Sequence, residues 1–457
     1  MTESRYALVV ALLLAGGLVG ACSASYFSDR YGRRPTLIYS NGILLAGSMM
    51  MAAAPTVAVL MLGRVLAGVG GGVATVVVPT YVAECVPKSR RGFFGTLNQL
   101  AIVVGILVSQ IAGSVALENW RWILLLGSVL AALPMVLLPL CVESPTYLAT
   151  ASSENGDVVV DRRAKVKQTL GRLRGGVPLQ QVEDELHELV TYQHPTSNSN
   201  NGDDGDDLTY NSNKSVSLQH FLVSPHYRHP LLLILLIQCT QQFSGINAVI
   251  FYSTSIMASV FPDSSDRITL SISIVNLLMT LVSASLMDRA GRRTLFLLSS
   301  CTMAFSSVIL GWSLQQGHDR TAALAIVLFV AAFAIGLGPI PFLMIPELVD
   351  RFAAASAGSV GLAANMVCNF LVSAGFMALR DSLGQAHVFY LFALLLVLAS
   401  LLALLYLPET KNKSPEQIVR SRWAAPPINV PWTKPTTYGQ QLVHQYGLVP
   451  TSTNHFQ

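Results

Sequence analysis

Eleven apolar runs of membrane-spanning length dominate this 457-residue chain. They lie near 6–28, 36–54, 57–83, 93–116, 121–141, 230–260, 268–287, 294–314, 321–345, 354–379 and 387–407. A helix needs about 20 apolar residues to cross the hydrocarbon of a bilayer, where each backbone N–H and C=O must be satisfied within the segment. Runs of this length and number predict an all-α polytopic membrane protein. Charged residues make up 12% of the chain, about half the share in a soluble domain. The first run is long and ends in Asp29-Arg30, which is not the pattern of a cleavable signal peptide.

Loop charge predicts the orientation. Arg30, Arg33 and Arg34 share one loop, Lys88, Arg90 and Arg91 a second, and Arg289, Arg292 and Arg293 a third. The alternate loops hold single basic residues such as Arg267, Arg320 and Arg380. The first set is therefore read as cytoplasmic. That places the long middle loop and the C-terminus inside and the N-terminus outside. Asn213 and Asn412 begin glycosylation patterns that face the cytoplasm in this orientation, so neither is expected to be modified. The net charge of +4 fits basic loops at a membrane rather than a nucleic-acid surface.

The middle loop divides the spans into five and six. The expected organisation is a helix bundle over 1–142, a cytoplasmic loop over 143–229, a six-helix bundle over 230–410 and a flexible cytoplasmic tail over 411–457. Within the loop, Leu179, Val182, Leu186 and Leu189 recur at helical spacing among Glu183, Asp184, Glu185 and Glu188. That pattern suits a surface helix against the base of the membrane domain. Residues 194–217, rich in Asn, Asp, Ser and Gly, are expected to be disordered.

Amides inside the apolar runs carry the functional signal. Gln241, Gln242 and Asn247 lie within the stretch from Leu231 to Val260. An amide in hydrocarbon costs a few kcal/mol, about the strength of a lost hydrogen bond, unless it bonds another helix or lines a polar cavity. An amide both donates and accepts, which suits a neutral ligand made of hydroxyl groups. Gln99 and Gln110, eleven positions apart, share one helix face with Val103 and Ile106 between them. Interhelical bonding is the alternative role for both, more so for Gln110. On a straight helix Gln242 and Asn247 would point about 140° apart. Gly245, after Ser244, offers the irregularity that could bring them together. Asn365 and Asn369 share a face at i, i+4. Gly336, Gly338, Pro339 and Pro341 break the preceding helix and free backbone groups that must face protein or a cavity. With Gly245, they are read as a hinge and gate.

Other residues point away from chemistry. The six cysteines are scattered with no CxxC, so packed thiols are expected rather than a metal site or disulfides. No span holds a nucleophile–base pair, and no cofactor is implied. The run Gly68-Val69-Gly70-Gly71-Gly72 lacks the Gly-Lys-Ser/Thr of a phosphate loop and is read as close helix packing.

The chain also repeats itself. Asp29-Arg30-Tyr31-Gly32-Arg33-Arg34 recurs as Asp288-Arg289-Ala290-Gly291-Arg292-Arg293, and Glu143-Ser144-Pro145-Thr146 is echoed by Glu409-Thr410-Lys411. Two related bundles joined by a cytoplasmic loop describe a rocking transporter. In that register the first half is one helix short at its N-terminal end.

These motifs together resemble the sugar porters of the major facilitator superfamily, close to the facilitative glucose transporters. The resemblance rests on Asp29 to Arg34, Gly63 to Gly68, Pro79 to Glu84 with Arg90-Arg91-Gly92, Gln99 to Gln110, Gln241 to Asn247, Asp288 to Arg293, Gly338 to Phe342 with Pro346-Glu347, and Pro408 to Lys411, in family order. It implies that Gln99, Gln241, Gln242, Asn247, Asn276 and Asn365 bind sugar hydroxyls while Ile102, Ile106 and Phe342 pack on the ring. It implies further that Arg33, Arg34, Glu84, Arg91, Glu143, Arg292, Arg293 and Glu347 form ion pairs that brace the two halves and bias conformation. Departures are the absent first helix, Phe342 and Met366 where glucose transporters often carry Trp, Thr146 for the usual Arg, and Ala354 where an Arg is usual.

The expected function is facilitative transport of a monosaccharide, a hexose such as glucose, by alternating access, with a monomer in the plasma membrane as the working unit. The proton-coupling acid of related symporters lies on the absent helix, and no Asp or Glu sits mid-span here, which favours uniport. A proton-coupled symporter, a non-transporting sugar receptor and an inactive truncated transporter are the alternatives.

Overall fold

A computed structural model describes residues 3–87, 90–115, 120–150, 158–175, 180, 182–183, 185–186, 216–250, 265–413, 415–421 and 423. Helix occupies most described residues of all eleven expected runs, and no strand occurs among the described residues. The first half comprises α1 (Glu3–Tyr31), α2 (Arg33–Ala52), α3 (Val57–Cys85), α4 (Arg91–Val115) and α5 (Trp120–Leu137). Short helices α6 (Pro145–Thr150), α7 (Val158–Leu173) and α8 (Leu218–Val223) follow. The second half comprises α9 (Arg228–Phe243), α10 (Ser265–Ala290), α11 (Arg292–Gln316), α12 (Asp319–Ile335), α13 (Ile340–Leu348), α14 (Ala354–Leu383) and α15 (Gln385–Tyr406). A last helix, α16 (Pro415–Arg420), begins the tail. Among the described residues, ten stretches are long and apolar enough to cross a bilayer. The helix outside that set is α2, whose apolar run is diluted by Ser40, Asn41 and Ser48.

Small residues set the packing of the first half. α1 and α2 both lie on α3, and backbone meets backbone at the glycines. A Cβ built on Gly72 would lie 2.2 Å from the Gly17 carbonyl oxygen, and one on Gly70 2.5 Å from that of Ser40. The glycine-rich run is thus a helix-packing seam, as its position inside a span implies. The two halves meet where α1 pairs with α14 and α4 with α10.

Two helices are interrupted. After α9, Ser244 and Gly245 form a turn, with Gly245 at φ +85°, and residues 246–250 return to helix. The expected run 321–345 is divided into α12 and α13 by residues 336–339. Pro339 caps α13 and Pro341 has no N–H to lose in its first turn. Ser299 on α11 serves that break directly, because its Oγ accepts from the Leu337 N–H at 3.0 Å and donates to the Ala332 carbonyl at 2.7 Å.

Some described residues outside the spans pack against the bundle. Val182 and Leu186 pack with Ala149, Val166 and Leu170, and Arg174 holds both carboxylate oxygens of Glu185 while donating to the Cys85 carbonyl. This agrees with a surface helix docked on the bundle; Leu179, Asp184, Glu188 and Leu189 lie outside the described residues. Of the stretch expected to be disordered, Val216 and Ser217 are described, and Val216 is buried with its N–H on the Phe352 carbonyl. Described residues of the tail also touch the bundle. Ile418 and Trp423 join the core of the second half, and the Trp423 indole donates to the Leu348 carbonyl at 2.6 Å while its ring stacks on His229. Two apolar side chains find a pocket at the ends of α9 and α13, which a polar average over the tail conceals.

Replacing Gly72 by leucine is expected to lower stability by about 3 kcal/mol, the cost of forcing a side chain into closed packing. Replacing Gly71 by alanine, which meets nothing within 4 Å, is expected to leave it unchanged. Thermal unfolding of the purified protein in detergent measures both.

Candidate functional site

The site is built from carboxamides on one face of α9. Gln238, Gln241 and Gln242 are buried there, and Asn365 of α14 is buried against them. The Asn365 amide nitrogen donates to the Oε1 atoms of Gln238 and Gln241, each at 2.8 Å. Its oxygen accepts from Gln242 Nε2 at 2.9 Å, and Asn247 Nδ2 donates to Gln242 Oε1. One network therefore holds five amides. The turn at Ser244 and Gly245 brings Gln242 and Asn247 into contact, where a straight helix would part them.

The same network reaches the broken helix. Gln241 Nε2 donates to the Leu337 and Gly338 carbonyls, each at 2.9 Å, and Gln238 Nε2 donates to the Pro341 carbonyl at 3.1 Å. These are carbonyls at or beside the interruption between α12 and α13. From the first half, buried Gln99 abuts the same point, since a Cβ on Gly338 would lie 3.2 Å from Gln99 Nε2. Of the residues expected to form a hinge, Gly338 and Pro341 lie directly against the amides.

Other expected site residues are placed around this centre. A small, partly open cleft lies between α4, α10 and residues 249–250. Ile106, Gln110, Ser273 and Asn276 line it. Asn276 is 3% exposed, yet its Oδ1 has no partner among the described residues, and the same holds for Gln110 Oε1. Unpaired buried carbonyl oxygens are the acceptors a hydroxylated ligand would satisfy. Ile102 is 40% exposed and does not line this cleft. Phe342 is buried in an apolar cluster with Ala21, Val73, Val76 and Val77 of the first half. It packs between the halves, and no amide of the network bonds there.

The sequence reading missed Gln238. It lies three and four residues before Gln241 and Gln242, so helical spacing alone puts it on their face. It is completely buried.

The charged motifs form two matching corners. In the first half Arg33 grips both oxygens of Glu84, at 2.9 and 3.0 Å, and also bonds Asp29. Glu143 accepts from the backbone N–H groups of Arg33 and Arg34, and Ser144 donates to Glu84. In the second half Arg292 bonds Glu347 at 3.0 Å and lies near Asp288. Glu409 accepts from the N–H groups of Arg292 and Arg293, and Thr410 donates to Glu347. Gly32 and Gly291, at φ +96° and +91°, make the turns that open these helix N-termini to the carboxylates. Burial holds the Glu143 carboxyl above the usual carboxylate range, against the lowering effect of those N–H groups and Arg33.

The resemblance implies pairs that brace one half against the other. The pairs of Arg33 and of Arg292 described here instead tie helices within a half. Between halves, Asp288 accepts from the Phe93 N–H at 3.0 Å, and the Ser25 N–H donates to Ser359 at 3.1 Å. These two bonds join the halves near their basic end.

Two helical halves around buried amides, with a paired charged corner in each, define a membrane transporter of the major facilitator fold. The family model described as "Sugar (and other) transporter" matches residues 1–421. The chain is 34% identical to facilitated glucose transporter member 4 of Bos taurus, over 94% of this chain and 82% of that protein. It is 34% identical to facilitated glucose transporter member 3 of Ovis aries, over 92% and 82%. Its fold matches the proton:xylose symporter XylE bound to 6-bromo-6-deoxy-D-glucose with a TM-score of 0.76, at 22% identity, covering 93% of this chain and 91% of that one. The chain belongs to the sugar transporter family and is a multi-pass membrane protein.

Two outcomes follow from this geometry. Gln241→Leu is expected to destabilise the protein more than Gln242→Leu, by about 1–3 kcal/mol, because only Gln241 serves backbone carbonyls freed by the broken helix. Glu84→Ala is expected to cost about 3–5 kcal/mol by leaving the Arg33 guanidinium buried without its main partner. Thermal unfolding in detergent checks each.

Proposed function

We propose that this protein carries a monosaccharide, a hexose such as glucose, across the plasma membrane by facilitated diffusion with alternating access. The observation that supports it is the amide network that joins Gln238, Gln241, Gln242, Asn247 and Asn365 to the backbone of the interrupted helix. In the absence of sugar these amides bond one another. Sugar hydroxyls offer the same donors and acceptors, so a hexose exchanges amide–amide bonds for amide–hydroxyl bonds at little net cost. Gln99 and Ile106 add contacts from α4 of the first half, and Asn276 adds one from α10 of the second. Because Gln241 and Gln238 hold carbonyls beside Gly338 and Pro341, rearranging the network on binding also frees the hinge. Ligand binding is thereby coupled to the movement that opens the basic end.

In this reading the basic end faces the cytoplasm and is shut here, and one chain is the working unit. The two charged corners stiffen each half so that it turns as a body. The relatives named as facilitated glucose transporters support the hexose and the uniport reading, as does the lack of Asp or Glu in the middle of any span.

Liposomes holding the purified chain are expected to equilibrate labelled glucose, and Gln242→Leu with Asn247→Leu is expected to reduce uptake at least tenfold in folded protein. Undiminished uptake in that double variant refutes the site. Accumulation above equilibrium under a pH gradient refutes uniport, and binding without uptake indicates a receptor.

A further inference from the structure

Cys239 on α9 and Cys368 on α14 bring their sulfurs to 3.5 Å. The two thiols sit on the two helices that the amide network joins. Cys239 adjoins Gln238 and lies two residues before Gln241, and Cys368 follows Asn365 by about one helical turn. Both are free, with Cys239 partly exposed and Cys368 buried. A disulfide requires sulfurs about 2.05 Å apart and side chains already facing one another. The second condition is met, and the first needs an approach of roughly 1.5 Å.

We propose that Cys239 and Cys368 form an oxidation site that closes the sugar pocket, a proposal that rests on the transport reading above. The oxidant is a hydroperoxide. The Cys239 sulfur, the more accessible of the two, attacks the outer oxygen; the O–O bond breaks, and the thiol proton passes to the departing alkoxide or hydroxide. Cys239 is then a sulfenic acid. The Cys368 sulfur attacks it, the S–S bond forms, the S–O bond breaks, and the hydroxyl leaves as water with the Cys368 proton. One hydroperoxide and two thiols become one alcohol or water, a further water and one disulfide.

The consequence follows from position. Gln242 and Asn365 bond directly across the same two helices. A sugar enters only if those amides part, and a covalent tether that draws α9 towards α14 holds them together. Oxidation therefore lowers sugar affinity and flux, and reduction of the disulfide restores both.

The test treats the full-length chain in liposomes with hydrogen peroxide, blocks remaining thiols, and maps peptides without reduction. A Cys239–Cys368 cross-linked peptide is expected, with at least a fivefold fall in glucose uptake that dithiothreitol reverses. Cys239→Ser and Cys368→Ser, made separately in case one folds poorly, are expected to transport before treatment and to resist peroxide. Absence of the cross-link overturns the proposal. So does a cross-linked protein that transports at the reduced rate, or an equal loss in the serine variants, which would place the effect at another cysteine. If the reduced chain carries no glucose at all, the transport reading fails. The cross-link and the accompanying rise in unfolding midpoint then decide the oxidation site on their own.

Discussion

In hydrocarbon, a backbone carbonyl without a donor costs several kcal/mol, because no water can replace the missing partner. The interruption at residues 336–339 creates such groups in the second half. Gln241 is the donor that meets the Leu337 and Gly338 carbonyls, Gln238 adds a bond to the Pro341 carbonyl in the next turn, and Ser299 serves the Leu337 N–H. The amides that suit a sugar are therefore also what makes the break tolerable. In the transport reading proposed above, this double duty links binding to hinge: a ligand that takes over an amide's hydrogen bonds disturbs the support of the broken helix.

The charged corners solve a different problem with the same economy. Each places an Arg beside a Glu from a neighbouring helix, and a second Glu over the N–H groups at a helix start. A carboxylate at a helix N-terminus meets both the unpaired donors and the positive end of the dipole. Because the corners repeat in the two halves with the same residue types, each half carries its own brace. Contacts across the interface include a Ser25–Ser359 bond, an Asp288–Phe93 bond and the apolar packing of Phe342.

Much of this was legible in the residues. The spans followed from apolar length, the break from Gly336 to Pro341, and the paired corners from the repeat of Asp29 to Arg34 at Asp288 to Arg293. Other features were not. Gln238 escaped notice because it lies outside the striking run of Gln241 to Asn247, although its spacing placed it on the same face. Trp423 was concealed by the polar average of the tail around it. The pairing of Cys239 with Cys368 joins residues far apart in the chain, and nothing local to either one marks it.

The sequence by itself determined the class of protein, because membrane-length apolar runs, loop charges and in-span amides each answer to local physical rules. Only the tertiary structure decided which amide bonds which, that Arg33 and Arg292 brace their own halves, and that Phe342 packs between the halves. Those outcomes depend on how helices cross and turn about their axes. That geometry is set by the glycine seams and the two interruptions acting together, and no single segment contains it.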